Sequence, residues 1–162
     1  MQLKNFINVN GKVVNIEIDN GTNDVIDGRK EIYVSSGWID LHTHCYDKYF
    51  YFGDQIDEVG YKKGVCLVCD AGSVGIEGID EFVEETKSAI TNTKIWLNVS
   101  SQGLSRKDEL SNLEWINDKQ IVDTIHQYPN EIVGLKVRAS QSVVGTHGDL
   151  PLNKTVEIAK PS

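Results

Sequence analysis

The rhythm of apolar and polar positions changes once along the chain. From Leu3 to Val34 the apolar residues fall in short runs broken by the turn dipeptides Asn10-Gly11 and Asn20-Gly21. Val14, Ile16 and Ile18 alternate with polar neighbours, which sets them on one face of a strand. The pattern predicts a small antiparallel sheet. From Gly37 onward, apolar runs at Trp38 to His44, Val65 to Asp70, Ile95 to Ser100 and Ile132 to Arg138 are separated by helical spacing. Ile79, Phe82, Val83, Thr86 and Ile90 mark one helix, and Ile121, Val122, Ile125 and Tyr128 another. Strands alternating with helices predict βα units around a parallel sheet. Asp118 stands where the N-cap of the second helix is expected, and Pro129 follows its end. A last helical segment opens at Pro151-Leu152 with Val156, Ile158 and Ala159 as its apolar positions, and no strand follows before Ser162. Four strands suffice for an open sheet but not for a closed eight-stranded barrel, so a truncated protein is the expectation.

Composition narrows the class. With 40% hydrophobic and 25% charged residues among 162, the chain has the proportions of a folded globular protein. Its 16 Lys plus Arg against 24 Asp plus Glu leave a net charge of −8, and the basic residues are scattered. No nucleic acid and no membrane is therefore expected as a partner. No apolar run approaches the roughly 18 residues of a membrane span, and the first residues lack the apolar stretch of a signal peptide, so a cytoplasmic location is expected. Cys45, Cys66 and Cys69 are an odd number without an export signal, and are read as reduced thiols.

The strongest chemical signal is Gly37-Trp-Ile-Asp-Leu-His-Thr-His44. On a strand His42 and His44 point to the same face, so two imidazoles converge at its C-terminal end, a natural half-site for zinc or a similar divalent ion. Asp40, one pleat earlier, is a candidate to orient an imidazole. In Glu131-Ile-Val-Gly-Leu-Lys-Val-Arg138, Val133, Leu135 and Val137 share one face, and Gly134, Lys136 and Arg138 the other. If the apolar face packs under helices, Lys136 points into the barrel, where an ammonium is costly unless paired. Such a lysine serves as a Schiff-base former, a general base or a carbamate. Arg138, Ser140 and Asn98 lie at or just past strand ends and are candidates for substrate binding or for structural hydrogen bonds. His126 is read as a surface residue, His147 as a solvated loop residue and Cys45 as a small buried filler. Cys66 and Cys69 point to opposite faces of a strand and make a poor metal or redox pair. The glycines of Asp70 to Gly78 fit neither dinucleotide nor phosphate loops and are read as a tight turn after a strand.

The segment 37–44, together with Val68-Cys-Asp-Ala-Gly-Ser73, Leu97-Asn-Val-Ser-Ser-Gln-Gly-Leu104 and Val133-Gly-Leu-Lys-Val-Arg-Ala-Ser-Gln-Ser-Val-Val-Gly145, resembles the amidohydrolase superfamily. The likeness is to its dihydroorotase-like metal-dependent hydrolases, often described as adenine deaminases or amidohydrolase/deacetylases. It runs in order from about residue 35 to 152. The resemblance implies an α/β fold: the first half of a TIM (β/α)₈ barrel over 37–162, preceded over 1–36 by part of a small β-sandwich subdomain. It also implies two zinc ions, with His42 and His44 holding the more buried one and a carboxylated Lys136 bridging both. The implied reaction is hydrolysis of an amide, cyclic amide or ester through a metal-activated hydroxide. Further histidines on strands five and six and an aspartate on strand eight are implied as well, and the sequence ends before those strands. The 162-residue chain is therefore expected to bind zinc weakly, to be inactive alone and, with open sheet edges, to associate as a homo-oligomer.

Two other readings compete. Phosphoesterases of the polymerase-and-histidinol-phosphatase type also open a barrel with Asp-Leu-His-x-His, but there the motif starts the chain and the lysine motif has no explanation. A non-catalytic folded remnant or association module is favoured only by the missing strands.

Overall fold

Residues 1–49 and 51–160 are described in the computed structural model, and the predicted chain end at Ser162 lies outside them. The chain divides into two compact units, Met1–Trp38 and Ile39–Ser162.

In the first unit β1 (Gln2–Asn8) and β2 (Val13–Glu17) form an antiparallel hairpin. The Asn8 side chain closes its turn by accepting from the backbone N–H groups of Asn10 and Lys12, both at 3.0 Å. The register breaks between Leu3 and Phe6, where Asn5 takes φ +57° and donates its N–H to the Asn15 side chain. The predicted sheet is antiparallel; the observed one is mixed. β3 (Val25–Asp27) and β4 (Tyr33–Val34) both run parallel to β1. The cause is the path after β2: the Met1 ammonium donates to the carbonyls of Ile18 and Thr22, so the chain doubles back past the start of β1. The next strand then enters beside Gln2 and runs in the same direction as β1.

The second unit begins its sheet with β5 (Trp38–Thr43). There follow α1 (Ile56–Val59) with a 3₁₀ turn, β6 (Val65–Asp70), α2 (Ile79–Thr86), β7 (Asn92–Asn98), α3 (Asp118–Gln127), β8 (Ile132–Lys136), α4 (Gln141–Val144) and α5 (Leu150–Ile158). The sheet order is β5-β6-β7-β8, and β7 pairs in parallel with both β6 and β8. Parallel strands need helical crossovers, which α2 and α3 provide. Ile79, Phe82 and Val83 on α2 and Ile121 on α3 meet Val68, Ile95 and Leu97 from the strands, and Val99 just past β7, in one buried core.

Four local expectations change. α2 ends at Thr86, and Ile90 lies beyond it, 71% exposed, because its N–H and that of Thr91 are bound by the Asp57 carboxylate. The N-cap of α3 is Asn117, extended at φ −106°, whose side chain accepts from Gln120 N–H; Asp118 is the first helical residue. α5 packs through Pro151, Thr155 and Ile158, a helical i, i+4, i+7 stripe, which leaves Val156 and Ala159 outside. In β8 the register slips at Val133: Ile95 is opposite Ile132, and Trp96 is opposite Gly134. Val133 is the extra residue, 45% exposed, and Ile132 takes its expected place in the core. Among the described residues no helix is long and apolar enough to cross a membrane.

Phe82 is fully buried and its ring lies 5.1 Å from that of Tyr46. Phe82→Ala is expected to lower unfolding free energy by about 3–5 kcal/mol, read from the urea midpoint; a loss under about 1 kcal/mol contradicts this packing.

Candidate active site

β5, β6, β7 and β8 end together, and their last residues and following loops line a cavity of about 230 Å³. His42, His44, Asn98, Lys136 and Arg138 contribute to its walls, with Glu109 and the apolar Phe52, Ala71 and Leu104. The structure thus brings together the sequence-predicted ligand and substrate-binding candidates except Ser140, which is exposed and opens α4; Asp40 does not line the cavity either.

His42 is the fifth residue of β5 and His44 lies just past its end; their rings meet edge to face with centroids 5.8 Å apart. Lys136 ends β8, and its Nζ stands 3.5 Å from His42 Nε2. The slip at Val133 sets Lys136 opposite Asn98. Gly134 can face Trp96 only because it has no side chain: a Cβ there would stand 2.6 Å from the indole Cζ3. Gly72 faces the lysine stem, where a Cβ would stand 2.6 Å from Lys136 Cγ, and its φ of +81° belongs to glycine.

His44 is anchored behind the cavity. Its Nδ1 lies 2.9 Å from Ser73 Oγ, and Ser73 Oγ donates to Asp70 Oδ2 at 2.7 Å. The Asp70 carboxylate is fully buried and also accepts from Cys45 N–H and Ser73 N–H. Asp40, the expected orienting group, instead accepts the His42 backbone N–H at 3.0 Å. It caps its own strand and holds no imidazole, because a side chain two residues away reaches the backbone first. Burial lowers the His44 pKa below the ordinary 6.5, with Asp70 opposing that shift and His42, Lys136 and Arg138 adding to it.

The other candidates have structural partners. Arg138 donates through Nη2 to the buried Glu109 Oε2 at 2.6 Å and to the Lys107 carbonyl at 3.0 Å. Asn98 is buried, donating to the Gly72 carbonyl and accepting from Ser100 N–H. His147 is half-buried with Nε2 2.9 Å from the Ser111 carbonyl oxygen, so it is tied to the backbone and does not line the cavity. His126 is exposed on α3. Cys45 and Cys69 are buried and Cys66 is exposed, and burial pushes the Cys45 thiol pKa up, as suits a filler.

Sequence reading missed Glu109 and the partnership of Asp70 with Ser73. Glu109 sits in a polar loop with no periodicity. The run Asp70-Ala-Gly-Ser73 offers one signal: an Asp three residues before a Ser, with a glycine between, is the spacing of a side chain that caps a turn.

No family model matches the chain. It is 40% identical over 126 residues to a deacetylase of Enterococcus faecalis, covering 78% of this chain and 34% of that protein. A deacetylase of Brucella anthropi is 34% identical over 142 residues, 83% of this chain and 34% of the relative. Among solved structures, one described as an adenine deaminase superimposes with a TM-score of 0.88 at 35% identity, covering 97% of this chain and 46% of that one. A dihydroorotase follows at 0.84 and 28%, with 98% and 47% covered. The chain belongs to the amidohydrolase superfamily. It spans about a third of the length of these curated relatives and about half of the solved ones. Its parallel sheet is part of an amidohydrolase (β/α)₈ barrel.

The amidohydrolase resemblance implies a metal, and the donor set here is compatible with one: two imidazoles and a primary amine around one cavity. Among the described residues no group of three or more His, Cys, Asp or Glu side chains gathers to hold an ion.

His44 is expected to titrate below 6.5 in an NMR titration. The unfolded chain takes up that proton at higher pH than the fold does. His44's contribution to stability is therefore complete above 6.5 and is lost as pH falls through its folded value. A folded-state value above 6.5 contradicts the burial argument.

Proposed function

We propose that this chain supplies one half of the active site of a metal-dependent hydrolase that cleaves an acyl bond, with acetyl amides and esters as the leading substrate class. The observation that carries the reading is the meeting of His42, His44 and Lys136 in one cavity at the strand ends of an amidohydrolase sheet. The names of the curated relatives direct the choice toward deacetylation. Residues 1–36 are assigned to a β-sandwich subdomain and residues 37–162 to the barrel.

A divalent ion, zinc in this reading, supplies Lewis acidity toward a carbonyl oxygen and acidifies water. His42 and His44 would hold it through neutral imidazole nitrogens, and the lowered pKa of His44 keeps that form available at neutral pH. Lys136 would join as a carbamate: its ammonium gives one proton to solvent, the freed amine nitrogen bonds to the carbon of carbon dioxide, and a second N–H proton passes to solvent, so that a carboxylate with two oxygens replaces an ammonium. That change would turn a cation beside two imidazoles into an anion with two ligand oxygens. Arg138, neutralised by Glu109, and Asn98, committed to Gly72 and Ser100, shape the wall and leave substrate charge to be read elsewhere.

The test is acetate release by the gene product, in zinc- and bicarbonate-containing buffer, from a panel of N-acetyl amino acids, cyclic ureides and acyl esters. Turnover is expected for at least one acetylated compound, with Lys136→Ala lowering kcat/KM by on the order of 10²–10⁴-fold. A zinc-loaded gene product that hydrolyses none of them overturns the reading. The 162-residue chain alone, with two imidazoles and one amine, is expected to retain substoichiometric zinc after dialysis by elemental analysis. Tight one-to-one zinc lost in the His42→Ala, His44→Ala double variant would reveal a further ligand.

A further inference from the structure

Donor and acceptor accounting around Asp70 determines where the proton of His44 sits. A carboxylate has no proton to give, and Asp70 is approached by three donors: Cys45 N–H on Oδ2 at 2.9 Å, Ser73 N–H on Oδ1 at 2.7 Å and the Ser73 hydroxyl on Oδ2 at 2.7 Å. The hydroxyl of Ser73 owns one hydrogen, and that hydrogen is spent on Asp70. Its oxygen can therefore only accept from the ring nitrogen 2.9 Å away, so His44 Nδ1 must carry the proton. The opposite assignment would set two lone pairs against each other, or would turn the hydroxyl toward the ring and leave Ser73 Oγ 2.7 Å from the charged Oδ2 with no hydrogen between them, Oδ2 keeping only Cys45 N–H.

We infer that Ser73 and Asp70 are positioning residues that lock His44 as its Nδ1–H tautomer, leaving the Nε2 lone pair as its ligand nitrogen. Three features make this lock a built device. Asp70 and Ser73 are 0% and 1% exposed, so water does not compete for either oxygen. The backbone donors hold the carboxylate independently of the histidine, one from the end of β5 and one from its own turn. The turn that brings Ser73 back to Asp70 contains Gly72, which also admits the Lys136 stem, so one four-residue turn places both the histidine's proton and the lysine. A free imidazole prefers its proton on Nε2, which would occupy the nitrogen a metal needs. The relay removes that competition before any ligand arrives.

The metal consequence rests on the hydrolase reading; the tautomer does not. The experiment is nitrogen NMR of the histidine rings in the isotope-labelled, chelator-treated gene product at about pH 8, above the ordinary imidazole range. His44 is expected to show a protonated Nδ1 and a bare Nε2. In Ser73→Ala the ring is expected to shift toward Nε2–H, and zinc affinity to fall about 10–100-fold. Ser73→Thr, which keeps the oxygen, is expected to restore both. A wild-type spectrum with Nε2–H overturns the lock, as does a folded Ser73→Ala protein with an unchanged tautomer. If Ser73→Ala does not fold, the wild-type spectrum still decides. Nδ1–H in a protein that binds no zinc leaves the lock standing and removes the hydrolase reading; Nε2–H in a protein that binds zinc tightly does the reverse.

Discussion

A single buried carboxylate organises the site. Asp70 closes β6, and with no water to solvate it the charge must be met by protein donors. The donors it finds come from two places: the backbone just past β5, at Cys45, and the turn after β6, at Ser73. Meeting them binds the ends of two adjacent strands to one charge. Because His44 lies between β5 and Cys45, its ring is carried into place by the same contacts. Removing the Asp70 charge would leave two buried N–H groups and a hydroxyl without an acceptor, and a low-dielectric interior makes each such loss expensive.

Lys136 arrives from the opposite side by a different route. Its approach depends on backbone geometry: an extra residue at Val133, a bare Gly134 under Trp96 and a bare Gly72 against the lysine stem. The extra residue shifts the alternation of β8 by one step relative to β7, so that Ile132 enters the core while Leu135 still packs against it. Lys136 is then opposite Asn98, whose amide is committed to Gly72 and Ser100. The histidines are held by charge and hydrogen bonds, and the lysine by sterics, and the two systems meet in the turn Asp70-Ala-Gly-Ser73.

Arg138 shows how a plausible binding residue is reassigned by its neighbour. It follows Lys136 on the cavity side, where an unpaired guanidinium would recognise an anion. Glu109 has no exposed surface and lies in the same wall, and a buried carboxylate without a cation is far costlier than a paired one. The guanidinium is used to neutralise it. What the cavity offers a ligand is therefore two imidazoles and one amine, with the arginine's charge cancelled in the wall.

The sequence by itself determined the alternation of strands and helices, the pairing of His42 with His44 and the side of β8 on which Lys136 lies, because these follow from the two- and 3.6-residue periods of the backbone. It also carried the family likeness, through motifs at the four strand ends. Only the tertiary structure decided that the first sheet is mixed, that Ile90 leaves α2 and that Asn117 caps α3, since each depends on a partner distant in the chain or on one backbone angle. It alone decided that Asp70, and not Asp40, stands behind an imidazole and that Arg138 belongs to Glu109. Periodicity records which face a side chain takes. Which buried charge a side chain must answer is settled by what the fold places within about 3 Å of it, and for His44 and Arg138 the partners lie 29 residues away in the chain.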